Sequence, residues 1–249
     1  MSECIDLYNQ IKNQNLVAVC KLLLENGFYL GTDGKLKSEA RVATNLPWVF
    51  ARHDETRKCN LWHSVFFNVF GWLPSPCLDC WKVVIRPRSL ADLFKVRDMQ
   101  HEMELSSKCG IEVRESVHGL YGGDWYCDSL EQGKSILQEV IDDARALKID
   151  APVFLKRGCT EFEFKFGDSA SWDDVVTESQ RFMEKKLSNF IDTSERIAQP
   201  DVVKDSIYKR WIEFAFANGD PTYAQFTNGE PLYAPYRLYG SSMWTEQGA

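Results

Sequence analysis

The chain has 249 residues, 44% of them hydrophobic and 13% aromatic, with a formal net charge of −7. That composition supports a folded core of one large or two modest domains and excludes a low-complexity or largely disordered chain. The acidic balance argues against nucleic acid and anionic membrane as general partners.

The first residues, Met1 to Asp6, carry no basic segment followed by an apolar core. The apolar run from Val65 to Leu73 is interrupted by Asn68 and Gly71 and is too short to span a bilayer. The expected location is the cytoplasm, with no membrane partner. Eight cysteines in a reducing compartment are then expected to be core thiols, metal ligands or redox groups, not four disulfides.

In chain order, Leu16, Val19, Cys20 and Leu23 fall at helical spacing, and Asn26-Gly27 supplies a stop. Cys4 and Cys20 read as packing thiols. From Tyr29 to Leu73 the pattern is irregular and contains His53, Cys59 and His63; the last two share a face if Cys59 begins a helical turn. Pro74 to Cys80 holds a C-x2-C pair running into the strand Trp81 to Arg86. Ser89 with Asp92 caps a helix reaching about Glu104, and Cys109, Ile111 and Val113 alternate as a half-buried strand. A strand over Asp124 to Cys127 follows. Ser129 with Gln132 then opens a helix with Leu137, Val140, Ile141, Ala144 and Leu147 on one stripe.

Pro152 to Leu155 and Thr160 to Phe166 both read as extended, the second from alternating Phe162, Phe164 and Phe166. Ser171 with Asp174 predicts one long helix from Trp172 to Ile191. Another helix follows Pro200 and closes at Asn218-Gly219, and an extended tail begins at Pro221. Strand, helix, strand, strand, helix, strand is the order of a ferredoxin-like split βαβ sandwich. The expected class is therefore α+β, with that core over residues 74–167. A helical and irregular region over 1–73 and C-terminal helices with a tail over 168–249 pack on it as one unit.

In such a sheet the last strand runs antiparallel to the first, so the end of one lies beside the start of the other. Cys80 precedes the first strand. If the last strand is 152–157, Cys159 reaches the same edge, with Gly158 allowing a tight turn. Cys59, Cys77, Cys80 and Cys159 then form a four-thiolate set suited to a [4Fe-4S] cluster or to zinc. Cys59, His63, Cys77 and Cys80 form a local zinc alternative with C-x3-H and C-x2-C spacing. If the last strand is instead 160–166, Cys159 lands at the opposite edge and the local zinc set gains. Cys109 and Cys127 read as core neighbours, with a redox couple as the alternative.

The runs C-x3-C-x2-C and C-x2-C-x2-C are absent, as are the P-loop, G-x-S-x-G, H-E-x-x-H and G-x-G-x-x-G. Lys82, Arg86, Arg88, Lys95 and Arg97 lie close together, and Arg114 can join them across the sheet. Arg86, Arg88 and Arg114 are the candidates for holding an anionic small molecule or cofactor, and a solvated face balanced by Asp92, Asp98 and Glu112 is the plainer alternative. His101 and His118 receive no role. The leading expectation is a metal-cofactor protein holding a [4Fe-4S] cluster for redox or cluster-dependent chemistry. The rival is a zinc-stapled module binding a protein or nucleic acid, and a third reading makes every thiol a core residue.

Overall fold

The apolar run Trp81–Ile85, here β4, lies inside a five-stranded sheet that orders the rest of the chain. The computed structural model describes residues 16–25, 27–38, 47–52, 59–193 and 198–232. Cys4, Asn26, His53 and residues 233–249 lie outside the described residues.

The larger sheet is made of β3 (Trp48–Arg52), β4, β5 (Ser107–Ile111), β6 (Tyr121–Cys127) and β7 (Val153–Arg157). Their spatial order is β3-β5-β6-β4-β7, and every neighbouring pair is antiparallel. Helix α2 (Leu90–Met103) connects β4 to β5, and α3 (Leu130–Ala146) connects β6 to β7. Both start where the sequence places a cap: Ser89 accepts from the Asp92 amide and Ser129 from the Gln132 amide. The protein thus combines several helices with an antiparallel sheet. Its third strand from the left edge, β6, is longer than the expected Asp124 to Cys127, because Tyr121 also pairs, opposite Ile111.

Strand alternation gives the sheet two different faces. Val83, Ile85, Cys109, Tyr121, Trp125 and Cys127 are buried against Leu93, Val96, Ile136 and Val140, and against Ile207 and Trp211 of α6 (Asp201–Ala217). The buried side of α3 is Gly133, Ile136, Val140 and Ala144, one step round from the expected stripe, and Leu147 is exposed. Gly133 lets α3 approach Leu155 closely: a Cβ there would stand 2.7 Å from Leu155 Cδ1 and the leucine would have to shift. The even positions, Lys82, Lys108, Asp124, Tyr126, Phe154 and Lys156, alternate onto the opposite face, which is polar.

A second sheet joins β1 (Phe28–Leu30), β2 (Leu36–Ser38) and β8 (Ile191–Thr193), with β2 and β8 parallel. Its core brings together Leu23 of α1 (Leu16–Glu25), Phe66, Phe70, Trp72, Met183 and Leu187. The aromatic segment before Cys77 is a π-helix over Asn60–Phe67, continued by the Phe70 amide donating to the Val65 carbonyl at 3.1 Å.

Three expectations are corrected. Thr160–Phe166 is a helix, α4, not a strand. Phe162 and Phe166 lie four apart, so they share a face in a helix as they do in a strand. Phe164 decides between the two: it is 67% exposed while Phe162 is fully buried, and Gly167 at φ 80° ends the turn. The long helix from Ser171 is broken into a 3-10 turn, Ser169–Asp174, and α5, Glu178–Leu187. The β-branched run Val175-Val176-Thr177 separates them, and Thr177 caps α5 by accepting from the Gln180 amide. The tail begins with a 3-10 turn over Pro221–Phe226, because Asp220 accepts from the amide and hydroxyl of Thr222. Among the described residues, no helix is long and apolar enough to cross a membrane.

Candidate metal centre

The C-x2-C turn is built by proline and held from outside. Pro76 sits in the first turn of the 3-10 helix Ser75–Leu78. The Cys77 amide donates to the Pro74 carbonyl at 2.9 Å and the Cys80 amide to the Cys77 carbonyl at 3.3 Å. The buried carboxylate of Glu184 on α5 accepts from the Ser75 amide at 3.0 Å, from the Ser75 hydroxyl, and from Gln180 at 2.8 Å. Gln180 also donates to the Leu73 carbonyl. From the other side Arg157 Nε donates to the Leu78 carbonyl at 2.6 Å, and its guanidinium pairs with Asp173.

Sheet pairing then carries Cys159 to the same corner. Trp81 lies opposite Arg157, and the Gly158 amide donates to the Cys80 carbonyl at 2.7 Å. Gly158 takes φ 60°, and a Cβ there would stand 2.6 Å from Trp172 Cζ3. Cys159 follows in extended conformation. It packs with Cys77 on one small cluster of Leu73, Leu78, Phe162, Trp172 and Val176. The last strand ends at Arg157, as the convergence of these thiols requires, although the segment beyond it is helical.

Cys59 lies just before the π-helix, and His63, four residues on, packs at a tilt against Phe67 and Phe162 with ring centroids 5.3 and 5.9 Å away. The four thiols share one electrostatic environment. Burial, then negative charge on Cys80, Cys159 and Cys59, pushes the Cys77 thiol well above its ordinary range, and the Lys82 ammonium acts against them. Lys82 points from β4 into this corner and donates to Cys159 Sγ at 3.3 Å. Burial disfavours its charge, but negative charge on Cys159, Tyr126, Asp124 and Cys80 overcomes that and keeps the ammonium protonated. Burial likewise lowers His63, with Glu161 opposing and Lys82 and Lys108 assisting.

Among the described residues, no three His, Cys, Asp or Glu side chains are set at distances that close on one metal ion. All seven described cysteines are free thiols. Cys109 and Cys127 are buried in the helix-side core, opposite Gly123 and Trp81 respectively, and do not face each other across the sheet. Burial pushes the Cys109 thiol strongly upward, the state of an inert core residue. Cys20 packs against the second core.

The basic strip is divided. Glu112, only 1% exposed at its side chain, accepts from Arg114 Nε and Nη2 at 2.8 and 2.7 Å and lies 3.4 Å from Arg86 Nη1. Arg114 also pairs with Glu161 at 3.1 Å. Arg88 pairs with Asp150 in solvent, Lys95 with Asp92, and Arg97 with Asp98. Arg86 and Arg88, without Arg114, line an open cavity. His101 lies exposed at the end of α2, away from these groups.

Two features that position the thiols carry no local sequence signal. Lys82 belongs by sequence to a basic strip, whereas strand alternation next to Cys80 points it away from the helices. Glu184 and Gln180 reach the turn from about 107 residues away, which no local pattern signals. Searches against known protein families, curated proteins and solved structures give no match to the chain.

Proposed function

We propose that Cys59, Cys77, Cys80 and Cys159 hold a [4Fe-4S] cluster in a cytoplasmic protein that uses it for redox or cluster-dependent chemistry. The observation that carries this reading is the meeting of Cys159 with the Cys77-Cys80 turn beside one half-buried cation, Lys82, with Cys59 entering from the π-helix as the fourth thiol of the proposal. Soft thiolates select iron–sulfur clusters or zinc. A tetrahedral zinc with bonds of about 2.3 Å needs sulfurs about 3.8 Å apart, whereas a cubane spreads its ligands further. A bound cluster closed by four thiolates would supply one-electron transfer.

We also propose that the strands β5-β6-β4-β7, with α2 and α3 crossing on one face, are a ferredoxin-like split βαβ unit. Their order and antiparallel pairing support it. The protein's own contribution is to exclude water with Phe162 and Trp172, fix the turn through Glu184 and Arg157, and offset thiolate charge with Lys82. Protein purified without oxygen is expected to be brown and to hold about four iron and four labile sulfide per chain. A colourless protein with one zinc would instead support the second reading, a zinc-stapled binding module using Cys59, His63, Cys77 and Cys80. The placement of His63 on the π-helix that follows Cys59 favours that set.

A further inference from the structure

At the polar face of the sheet, beyond the thiol corner, lies an open cavity of about 570 Å³ between β4, β7 and the loop that joins β5 to β6. Its size falls within the range of small-molecule sites. Arg86, Arg88, His118 and Lys156 line it together with Thr160, and no carboxylate does, in a chain whose net charge is −7. Phe154, 41% exposed, supplies an apolar wall.

The two arginines are held but not spent, and Lys156 is paired with Glu163 of α4, which lies outside the lining. Glu112 gives its short hydrogen bonds to Arg114, leaving Arg86 with one long contact of 3.4 Å. Gly122 makes room for that guanidinium, since a Cβ there would stand 2.2 Å from Arg86 Nη1. The Arg88–Asp150 pair is 70% and 76% exposed, so water screens it and it yields readily to a better anion. Guanidinium forks beside an ammonium match a phosphate group, and the aromatic wall matches an apolar body.

We propose that this cavity binds a phosphorylated small molecule, its phosphate between Arg86, Arg88 and Lys156 and its apolar part against Phe154. Thr160 adjoins Cys159, and Lys156 lies opposite Lys82 on β4, so a molecule bound here sits next to the thiol corner. The binding itself needs no metal.

Calorimetric titration of the full chain with phenyl phosphate and with inorganic phosphate tests this. Saturable binding is expected for both, tighter for phenyl phosphate. Arg88→Ala is expected to weaken it about tenfold, the loss of one charge-assisted contact, and Lys156→Ala comparably. Arg145→Ala, which removes an exposed arginine on α3, should leave it unchanged. Arg88 is exposed, so its variant is expected to retain the fold, and Arg88→Ala decides the matter if Lys156→Ala does not fold. Absence of saturable binding at millimolar phenyl phosphate, or wild-type affinity in Arg88→Ala, would overturn the proposal.

Discussion

In the proposed site, Lys82 is the charged residue in direct contact with sulfur. Its ammonium touches Cys159 Sγ and lies over the Tyr126 ring, 5.3 Å from the centroid. Positive charge and hydrogen bonds to sulfur set how readily a cluster accepts an electron. If the proposed cluster is bound, Lys82→Met is therefore expected to move its midpoint to a more negative potential in a redox titration. An unchanged midpoint would place Lys82 outside the centre. The thiols were legible at this scale because a C-x2-C pair before a strand is a local signal. Lys82 was not, because five basic residues in sixteen positions read as a surface strip until the pairing of β4 with β6 and β7 gave each one a face.

At the scale of elements, the structure separates segments whose patterns fit two periods. In α4, Phe162→Ala removes a fully buried ring and is expected to cost about 3–5 kcal/mol in urea unfolding, whereas Phe164→Ser should fall within about 0.5 kcal/mol of wild type. A strand would make the two changes comparable. Glu184→Ala should release the Ser75 turn and lower iron retention without touching a sulfur, and Glu184→Gln, which keeps an acceptor for the Ser75 amide, should restore part of it. Retention equal to wild type in Glu184→Ala would show that the turn holds itself.

The start of α2 is fixed by a residue 130 positions away. Asp220 accepts from the Leu90 amide and the Tyr121 hydroxyl, each at 2.6 Å. Burial raises the Asp220 pKa, but the bonds from Tyr121, Thr222 and Leu90 outweigh it and hold the carboxyl below its usual range. A folded pKa below the unfolded one means the stabilisation is complete above about pH 4 and is lost as pH falls further. Asp220→Ala is expected to cost about 2–4 kcal/mol at neutral pH, from the lost cap and the stranded tyrosine hydroxyl. Asp220→Asn should flatten the acid limb of a stability–pH profile, and an unaltered limb would assign acid sensitivity elsewhere. Ser89 and Ser129 announce their helices in sequence; Asp220, joined to α2 only by tertiary packing, does not.

For the molecule as a whole, topology did what residue spacing alone could not. Antiparallel pairing of β7 with β4 brings Gly158 to Cys80, and so Cys159 to Cys77, from the order of elements alone. The place of Cys59 was not deducible in this way, because it depends on a π-helix packed between two cores by Phe66 and Phe67. Nor did the central pattern signal β3, which extends the sheet from residues far outside it and whose edge is satisfied by the side chain of Gln199, bonded to Phe50 N and Trp48 O.

The most direct measurement of the shared thiol site is iron per chain in single Cys→Ser variants purified without oxygen. Loss of most of the iron is expected at Cys59, Cys77, Cys80 and Cys159, with full retention at Cys20. Iron that survives every one of the four replacements, or depends equally on Cys20, would contradict the shared site.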